Sequence, residues 1–244
     1  MVKSNLDPEI ILVKTQIPEN LGFIARCMLN FEMDKLRIVS PKFNLDNEKI
    51  IPLSAGAQSV IKKAKIYNTF EDSIKDFNFL IACSARKRSL KKIEQSPEES
   101  IKEIYTKIIP SNKVGFIFGP ENSGLSNNNL KFVNRVINIK TNEKFPSINL
   151  SHSVMIICYE WYKFKSQIDA ERKTKKFVYK YELMEFFRKL EELLKKSGFV
   201  KTHKRQEIIF QKIRNIFDRV DLDSNEIKIL FGIITSLYKT KNFK

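Results

Sequence analysis

The stretch Lys113-Val-Gly-Phe-Ile-Phe-Gly-Pro-Glu-Asn-Ser-Gly-Leu-Ser126 restricts the possible folds more than any other part of the chain. Val114 to Phe118 is an unbroken apolar run, the pattern of a parallel strand buried on both faces. It stops abruptly in a loop with glycines at 119 and 124 around Pro120, and a helix opens at Ser126. A buried strand emptying into a tight loop is where open α/β sheets hold ligands. The loop carries one acid, Glu121, and no basic side chain, so it does not read as a phosphate cradle.

The same alternation runs through the first two thirds of the chain. Glu9 to Lys14 reads as a strand, followed by the turn Ile17-Pro-Glu-Asn20 and a helix with Leu21, Ile24, Ala25, Met28 and Leu29 on its apolar face. Gly22 and Arg26 lie one turn apart on another face, which sets a missing side chain beside an arginine. Further strands are expected at Leu36–Ser40, Lys65–Asn68, Phe79–Ser84 and Arg135–Ile139, with helices beginning at Ser54-Ala-Gly-Ala-Gln-Ser-Val-Ile61 and over Glu71–Phe77. Ser96-Pro-Glu-Glu99 is a helix start, with Ser at the N-cap, Pro in the first turn and Glu three residues on. Leu150, Val154, Ile157, Cys158 and Trp161 share one face of a later helix. Strands alternating with helices predict an α/β domain with a mostly parallel sheet.

Beyond residue 162 the pattern changes. Residues 163–178 are charged and lack apolar periodicity, a linker or an extension of the preceding helix. Residues 179–244 contain three amphipathic helices, over Tyr179–Lys196, Arg205–Val220 and Ser224–Tyr238, the first closed by Gly198. Their apolar stripes are too broad to stay wet, so they predict a small all-helical C-terminal domain.

Lys and Arg outnumber Asp and Glu by 44 to 28, a net charge of +16, and such an excess favours a polyanionic partner, nucleic acid first. Arg86, Lys87 and Arg88 belong to a basic run that directly follows the strand ending at Ser84, and they read as an RNA-contacting loop. Cys27, Cys83 and Cys158 are scattered, and only His152 and His203 add imidazoles, so neither a metal site nor a disulfide framework is indicated. His152 opens a helix in apolar surroundings and reads as structural or solvent-bonded. No apolar run reaches membrane-spanning length, and a cytoplasmic location is expected. The glycine fingerprints of dinucleotide and P-loop sites are absent.

Asn20-Leu-Gly-Phe-Ile-Ala-Arg26, Phe118-Gly-Pro-Glu-Asn-Ser-Gly-Leu-Ser126 and Ser147-Ile-Asn-Leu-Ser151 together resemble the three ordered motifs of SPOUT methyltransferases, in the TrmH branch of RNA ribose 2′-O-methyltransferases. Cys83-Ser-Ala-Arg-Lys-Arg88, Tyr159-Glu-Trp161 and the tail from Phe186 to Ile234 extend the likeness to the TrmJ-like group of tRNA enzymes, which act on the anticodon-loop ribose of nucleotide 32. The resemblance implies a SPOUT (α/β-knot) domain with a parallel sheet and a C-terminal trefoil knot, a homodimer, tRNA as substrate, and S-adenosyl-L-methionine as methyl donor with S-adenosylhomocysteine as product. It implies a cofactor pocket of Cys83, Ser84, Ala85, Gly119, Ile139, Pro146, Ser147, Ile148 and Asn149, with the glycines making room for an adenosine. Arg26, Glu121, Ser147 and Asn149 take the catalytic positions, with no metal. Where the family commonly has threonine, arginine and a small or amide residue, this chain has Cys83, Asn122 and His152. Methylation of ribosomal RNA, or RNA binding without catalysis on the same fold, are the alternative expectations.

Overall fold

Each apolar run becomes a strand, and the amphipathic segments between them become the helices that cover the sheet. The computed structural model describes residues 7–84, 92–109, 111–165, 176–199, 203–217 and 220–241. In order the chain forms β1 (Glu9–Val13), α1 (Pro18–Asn30), β2 (Leu36–Val39), α2 (Ile50–Ser54), α3 (Gln58–Lys62), β3 (Lys65–Tyr67), α4 (Phe70–Ile74), β4 (Phe79–Cys83) and β5 (Ile93–Gln95). Then come α5 (Pro97–Glu103), which runs on as a π-helical turn over Ile104–Ile108, β6 (Val114–Phe118), α6 (Asn127–Leu130), β7 (Arg135–Ile137) and α7 (Leu150–Lys165). Three more helices follow: α8 (Lys180–Lys196), α9 (His203–Phe217) and α10 (Ser224–Lys241).

The seven strands form one sheet in the order β3-β2-β1-β6-β4-β7-β5, with every neighbouring pair parallel. β1 and β6 are buried along their whole length, as continuous apolar runs require. Leu21, Ile24, Met28, Ile101, Ile157 and Trp161 belong to the core on one face, and Ile74, Leu130 and Val133 to the core on the other. The Ser96 hydroxyl and Glu99 form the expected capping box on α5.

Several local expectations give way to tertiary structure. The helix expected to begin near Ser54 is two short ones, because Ala55 and Gly56 take φ of 44° and 92° and a right-handed helix cannot pass through them. β5 was not expected: Ile93-Glu-Gln95 is too short and polar to show a strand pattern, and it pairs at the edge of the sheet. Leu29 is exposed, since the buried side of α1 is already filled by Leu21, Ile24, Ala25 and Met28. Gly22 is buried, and a Cβ there would stand 2.5 Å from the Ile50 oxygen and 2.9 Å from the Leu53 Cβ. The glycine therefore seats α2 on α1; its purpose is not to make space beside Arg26.

The C-terminal helices enclose their own core of Val178, Phe186, Phe187, Leu222 and Ile227, with Phe186 edge-on to Phe217 at 5.3 Å. Polar side chains bind this bundle to the base of the sheet. Asn112 Oδ1 accepts from the Phe177 amide at 2.6 Å, and Asn78 Nδ2 donates to the Phe177 carbonyl at 2.7 Å. The Arg135 guanidinium pairs with Glu103 at 2.9 Å and with Asp221 at 2.8 Å, so one buried cation holds both domains.

A second buried cation, Arg37, donates to Glu9 at 2.5 Å and in a fork to both oxygens of Asp76 at 2.8 Å, and it lies 4.4 Å from the centre of the Phe77 ring. Burial by itself would raise the Asp76 carboxyl, but hydrogen bonds and charge from Arg37 and then Lys113 outweigh it and hold the group at about 2. Glu9 is lowered in the same way. A carboxylate whose folded pKa is depressed stabilises the protein fully above its unfolded value, about 4, and loses that contribution as pH falls through the folded value. Urea unfolding followed by circular dichroism between pH 5 and pH 2 should therefore show stability falling as acid is added, and Asp76→Asn should make that decline shallower. An identical slope in the variant would mean that the pairing carries no such linkage.

Candidate active site

β6, β4 and β7 are neighbours in the sheet, and Cys83 lies level with Phe118 on one side and Ile137 on the other. Their carboxyl ends therefore release three loops at one place, where an open α/β sheet holds its ligand. The loops enclose a cavity of about 270 Å³. Phe118, Ile139, Ile148 and Leu150 supply apolar wall, while Ser84, Asn122, Ser147 and Ser153 supply polar groups, and Cys83, Gly119, Pro120, Glu121, Gly124 and Pro146 complete the lining.

The glycine loop is closed by its own backbone. Gly124 has φ of +62° and its amide donates to the Pro120 carbonyl at 2.8 Å. A Cβ on Gly119 would fall 2.3 Å from the Leu125 nitrogen and 2.4 Å from the Gly124 carbonyl carbon. Gly119 is thus needed so that the loop can fold onto itself, and the cavity it lines follows from that closure.

Glu121 reaches from this loop to the turn before α1. Its carboxylate accepts from the Gln16 amide at 2.9 Å, the Asn20 side chain at 2.8 Å, and the Thr15 hydroxyl and Ile17 amide at 3.3 Å each. Asn20 Oδ1 in turn accepts from Asn149 Nδ2 at 3.0 Å, and Asn149 Oδ1 accepts from the Ser151 amide at 2.8 Å and its hydroxyl at 2.7 Å. One continuous chain of hydrogen bonds joins all three sequence motifs. Asn149 belongs to this chain and does not line the cavity.

The expected residues thus divide into groups. Cys83, Ser84, Gly119, Ile139, Pro146, Ser147 and Ile148 line the cavity, and Glu121 both lines it and holds the turn. Arg26 is exposed on α1, outside the cavity lining. Ala85, Arg86, Lys87 and Arg88 lie outside the described residues. His152 is exposed. Burial pushes the Cys83 thiol up to about 12, so it is a neutral, compact wall group and no nucleophile. Phe118, Pro120, Asn122, Leu150 and Ser153 were not expected in the lining; the helical spacing of Leu150 and Ser153 is the signal that could have placed them together. Buried Thr15 had no such signal. Among the described residues no cluster of His, Cys, Asp and Glu is arranged to hold a metal, and no helix is long and apolar enough to cross a membrane.

A parallel sheet with a three-loop cavity at the ends of adjacent strands, followed by a helical bundle, defines a SPOUT-class methyltransferase. Residues 7–159 match the SpoU rRNA Methylase family, and the chain belongs to it. Residues 181–243 match the C-terminal domain of the tRNA methyltransferase TrmJ. The chain is similar to the tRNA (cytidine-2′-O-)-methyltransferase TrmJ of Methanocaldococcus jannaschii, with 34% identity over 220 residues, 84% of this chain and 90% of that protein. It is 31% identical over 235 residues to the tRNA (cytidine/uridine-2′-O-)-methyltransferase TrmJ of Citrobacter koseri, covering 93% of this chain and 95% of the relative. The crystal structure of TrmJ from Z. mobilis ZM4 superimposes with a TM-score of 0.84 at 31% identity, over 95% of this chain and 99% of that one.

The family's methyl donor is S-adenosyl-L-methionine. The donor set fits it: apolar side chains can flank an adenine, hydroxyls can meet a ribose, and the absence of lysine and arginine from the lining among the described residues suits a ligand without phosphate. Forcing a side chain into a packed site costs about 1–3 kcal/mol. Gly119→Ala should accordingly weaken S-adenosylmethionine binding at least tenfold by calorimetry and lower the melting temperature by roughly 2–10 °C. Unchanged affinity would show that the loop does not need its tight closure.

Proposed function

We propose that this protein transfers the methyl group of S-adenosylmethionine to a ribose 2′-hydroxyl in the anticodon loop of tRNA, at nucleotide 32, acting as a cytoplasmic homodimer. The observation that carries this reading is the pairing, in one chain, of a SpoU methylase domain with a TrmJ-type helical domain, tied together through Arg135. Bound in the cavity, the cofactor would supply a methyl on a positively charged sulfur; the ribose 2′-oxygen forms the new bond to that methyl as the carbon–sulfur bond breaks, S-adenosylhomocysteine is the neutral leaving group, and the hydroxyl proton passes to water.

The chain's own residues provide position more than chemistry, which suits an in-line displacement. Phe118, Ile139 and Ile148 hold the adenosyl end, and Ser147 stands on the cavity rim. Glu121 already accepts from four donors, so its role is to position the loop against α1, with Asn149 extending that hold through Asn20. A guanidinium stays protonated in proteins, so Arg26 does not act as a literal base. It orients the ribose and its phosphate and steadies the alkoxide as it forms.

The second subunit has support in an unpartnered face. α1 and α7 pack side by side and leave Phe23, Met155, Tyr159 and Tyr162 between 39% and 49% exposed. Apolar groups gathered this way mark an interface, and Arg26, one turn from Phe23, then stands at its edge, able to complete the partner's site. The trefoil knot is supported by the strand order, in which β7 lies between β4 and β5 although it follows both in sequence.

Incubating bulk tRNA and, separately, ribosomal RNA with methyl-labelled cofactor and mapping the product should give a 2′-O-methyl group at tRNA nucleotide 32. Product only in ribosomal RNA would favour the family's other substrate, and none in either would overturn the reading. Arg26→Lys should lower kcat/KM about a hundredfold, the scale for losing a group that stabilises developing charge, with cofactor affinity unchanged. Near-full turnover would remove any need for the guanidinium fork. Sedimentation should show a dimer that Tyr159→Glu dissociates; a wild-type monomer would sink the two-subunit site.

A further inference from the structure

The end of the sheet opposite the active site holds a second and larger hollow. It occupies about 580 Å³ at the amino ends of β1, β2, β3 and β6, and its outer wall includes Lys176 and Tyr179, which lead into the helical domain. The reaction uses none of these groups.

Charge is unevenly matched there. Glu9 and Asp76 are neutralised by Arg37 and Lys113, and Asp7 pairs with Lys165 at 3.3 Å. Asp34 is the remaining carboxylate of the lining. Against it stand Lys63 at the end of α3, Lys65 on β3 and Lys176 before α8, all exposed and none in ion-pair range of a carboxylate among the described residues. Three ammonium groups from three separate elements therefore converge on one trough, with the Lys176 ammonium 5.3 Å from the Tyr179 ring centre. Converging like charges repel unless a polyanion joins them.

The trough lies on the far side of the sheet from the cofactor. A strand of five residues at about 3.3 Å each puts some 17 Å between them. A nucleotide in the cavity cannot also fill the trough, whereas the rest of a folded RNA can extend to it. We infer that this lysine trough, where the methylase and helical domains meet, is a second contact for the phosphate backbone of the RNA substrate and contributes to binding but not to chemistry. The inference rests on the reading of a tRNA substrate, and it assigns to the base of the sheet a part in RNA binding that the motifs do not reveal.

The test compares the wild type with the triple variants K63E/K65E/K176E and K63R/K65R/K176R. Each phosphate contact contributes about 0.7–0.9 to the slope of log affinity against log salt. The Glu variant should raise KM for tRNA about tenfold or more and flatten the salt slope by about two, with kcat at saturating tRNA and S-adenosylmethionine affinity unchanged. The Arg variant should behave as wild type, and an intermediate K63Q/K65Q/K176Q protein covers any folding defect of the Glu variant. Unaltered KM and salt slope would overturn the inference, as would a fall in kcat alone. Calorimetry with inorganic phosphate separates the other source of the same chemistry: phosphate binding lost in the Glu variant with tRNA affinity intact would make the trough a small-anion site and also overturn it. Anisotropy of fluorescent tRNA reads the same contrast without turnover, so a wild type that binds but methylates no tRNA would refute the proposed function while the trough is still judged.

Discussion

The two carboxylate oxygens of Glu121 serve four donors, three from the turn between β1 and α1 and one, Asn20, from the first turn of α1, and the arrangement of the site depends on that match. The Gln16 and Ile17 amides precede a helix that starts with Pro18, so they have no intrahelical partner and need an acceptor from elsewhere. The N-cap position, Ile17, has no side-chain oxygen to offer, and the acceptor arrives from a loop more than a hundred residues away. A hydrogen bond to a charged group is worth about 1.5–3 kcal/mol net, and ordering a loop residue costs about 1–2 kcal/mol. Several such bonds on one acceptor are enough to hold a short loop in a single shape. Because Asn20 passes the contact on to Asn149, the same acid also sets the third motif.

The sheet makes this convergence possible. In sequence β4, β6 and β7 are separated by other elements, but in space they are adjacent and in register, so their three loops have nowhere to go but one edge. β7 is only three residues long, yet it carries Arg135 at its start and runs on to Ile139 at the cavity wall. Removing one partner from a buried ion pair leaves an uncompensated charge and is costly; here that cost would fall on the strand that both anchors the helical domain and shapes the cofactor's apolar wall. The two domains are thus joined at a point where the joint cannot loosen without disturbing the site.

How much of this could be read from the residues depended on range. The central strands are apolar runs because both their faces are covered, so β1, β4 and β6 were plain in the sequence. β5 was not, since an edge strand with exposed side chains has no pattern to show. The break between α2 and α3 rests on a left-handed alanine, which composition does not announce. The motifs pointed to most of the cavity lining, but the partners of Glu121 lie 101 to 106 residues away, and no local spacing links Thr15 to that acid. The glycines are the sharpest case. A missing side chain looks the same in sequence whether its space belongs to a ligand, to a neighbouring helix or to the loop itself. At Gly22 the neighbour is α2, and at Gly119 it is the returning backbone.

These constraints meet at Arg26. Nearly everything that fixes its backbone is buried: Gly22 locks α1 onto α2 one turn earlier, Ala25 and Met28 are in the core, and the turn at the head of the helix is held by Glu121. Its side chain alone is exposed, with no carboxylate paired to it among the described residues. A rigid base carrying an uncommitted guanidinium suits a group that must meet an incoming phosphate and ribose, since an internal salt bridge would have to be broken each time substrate bound. In the proposed dimer the same side chain lies beside the apolar face of α1 and α7, so association would bring it toward a cavity whose lining has no lysine or arginine among the described residues. The glycine loop lacks lysine and arginine because the cofactor needs none. In the proposed dimer, the positive charge that the RNA requires would come from another helix, and from another subunit.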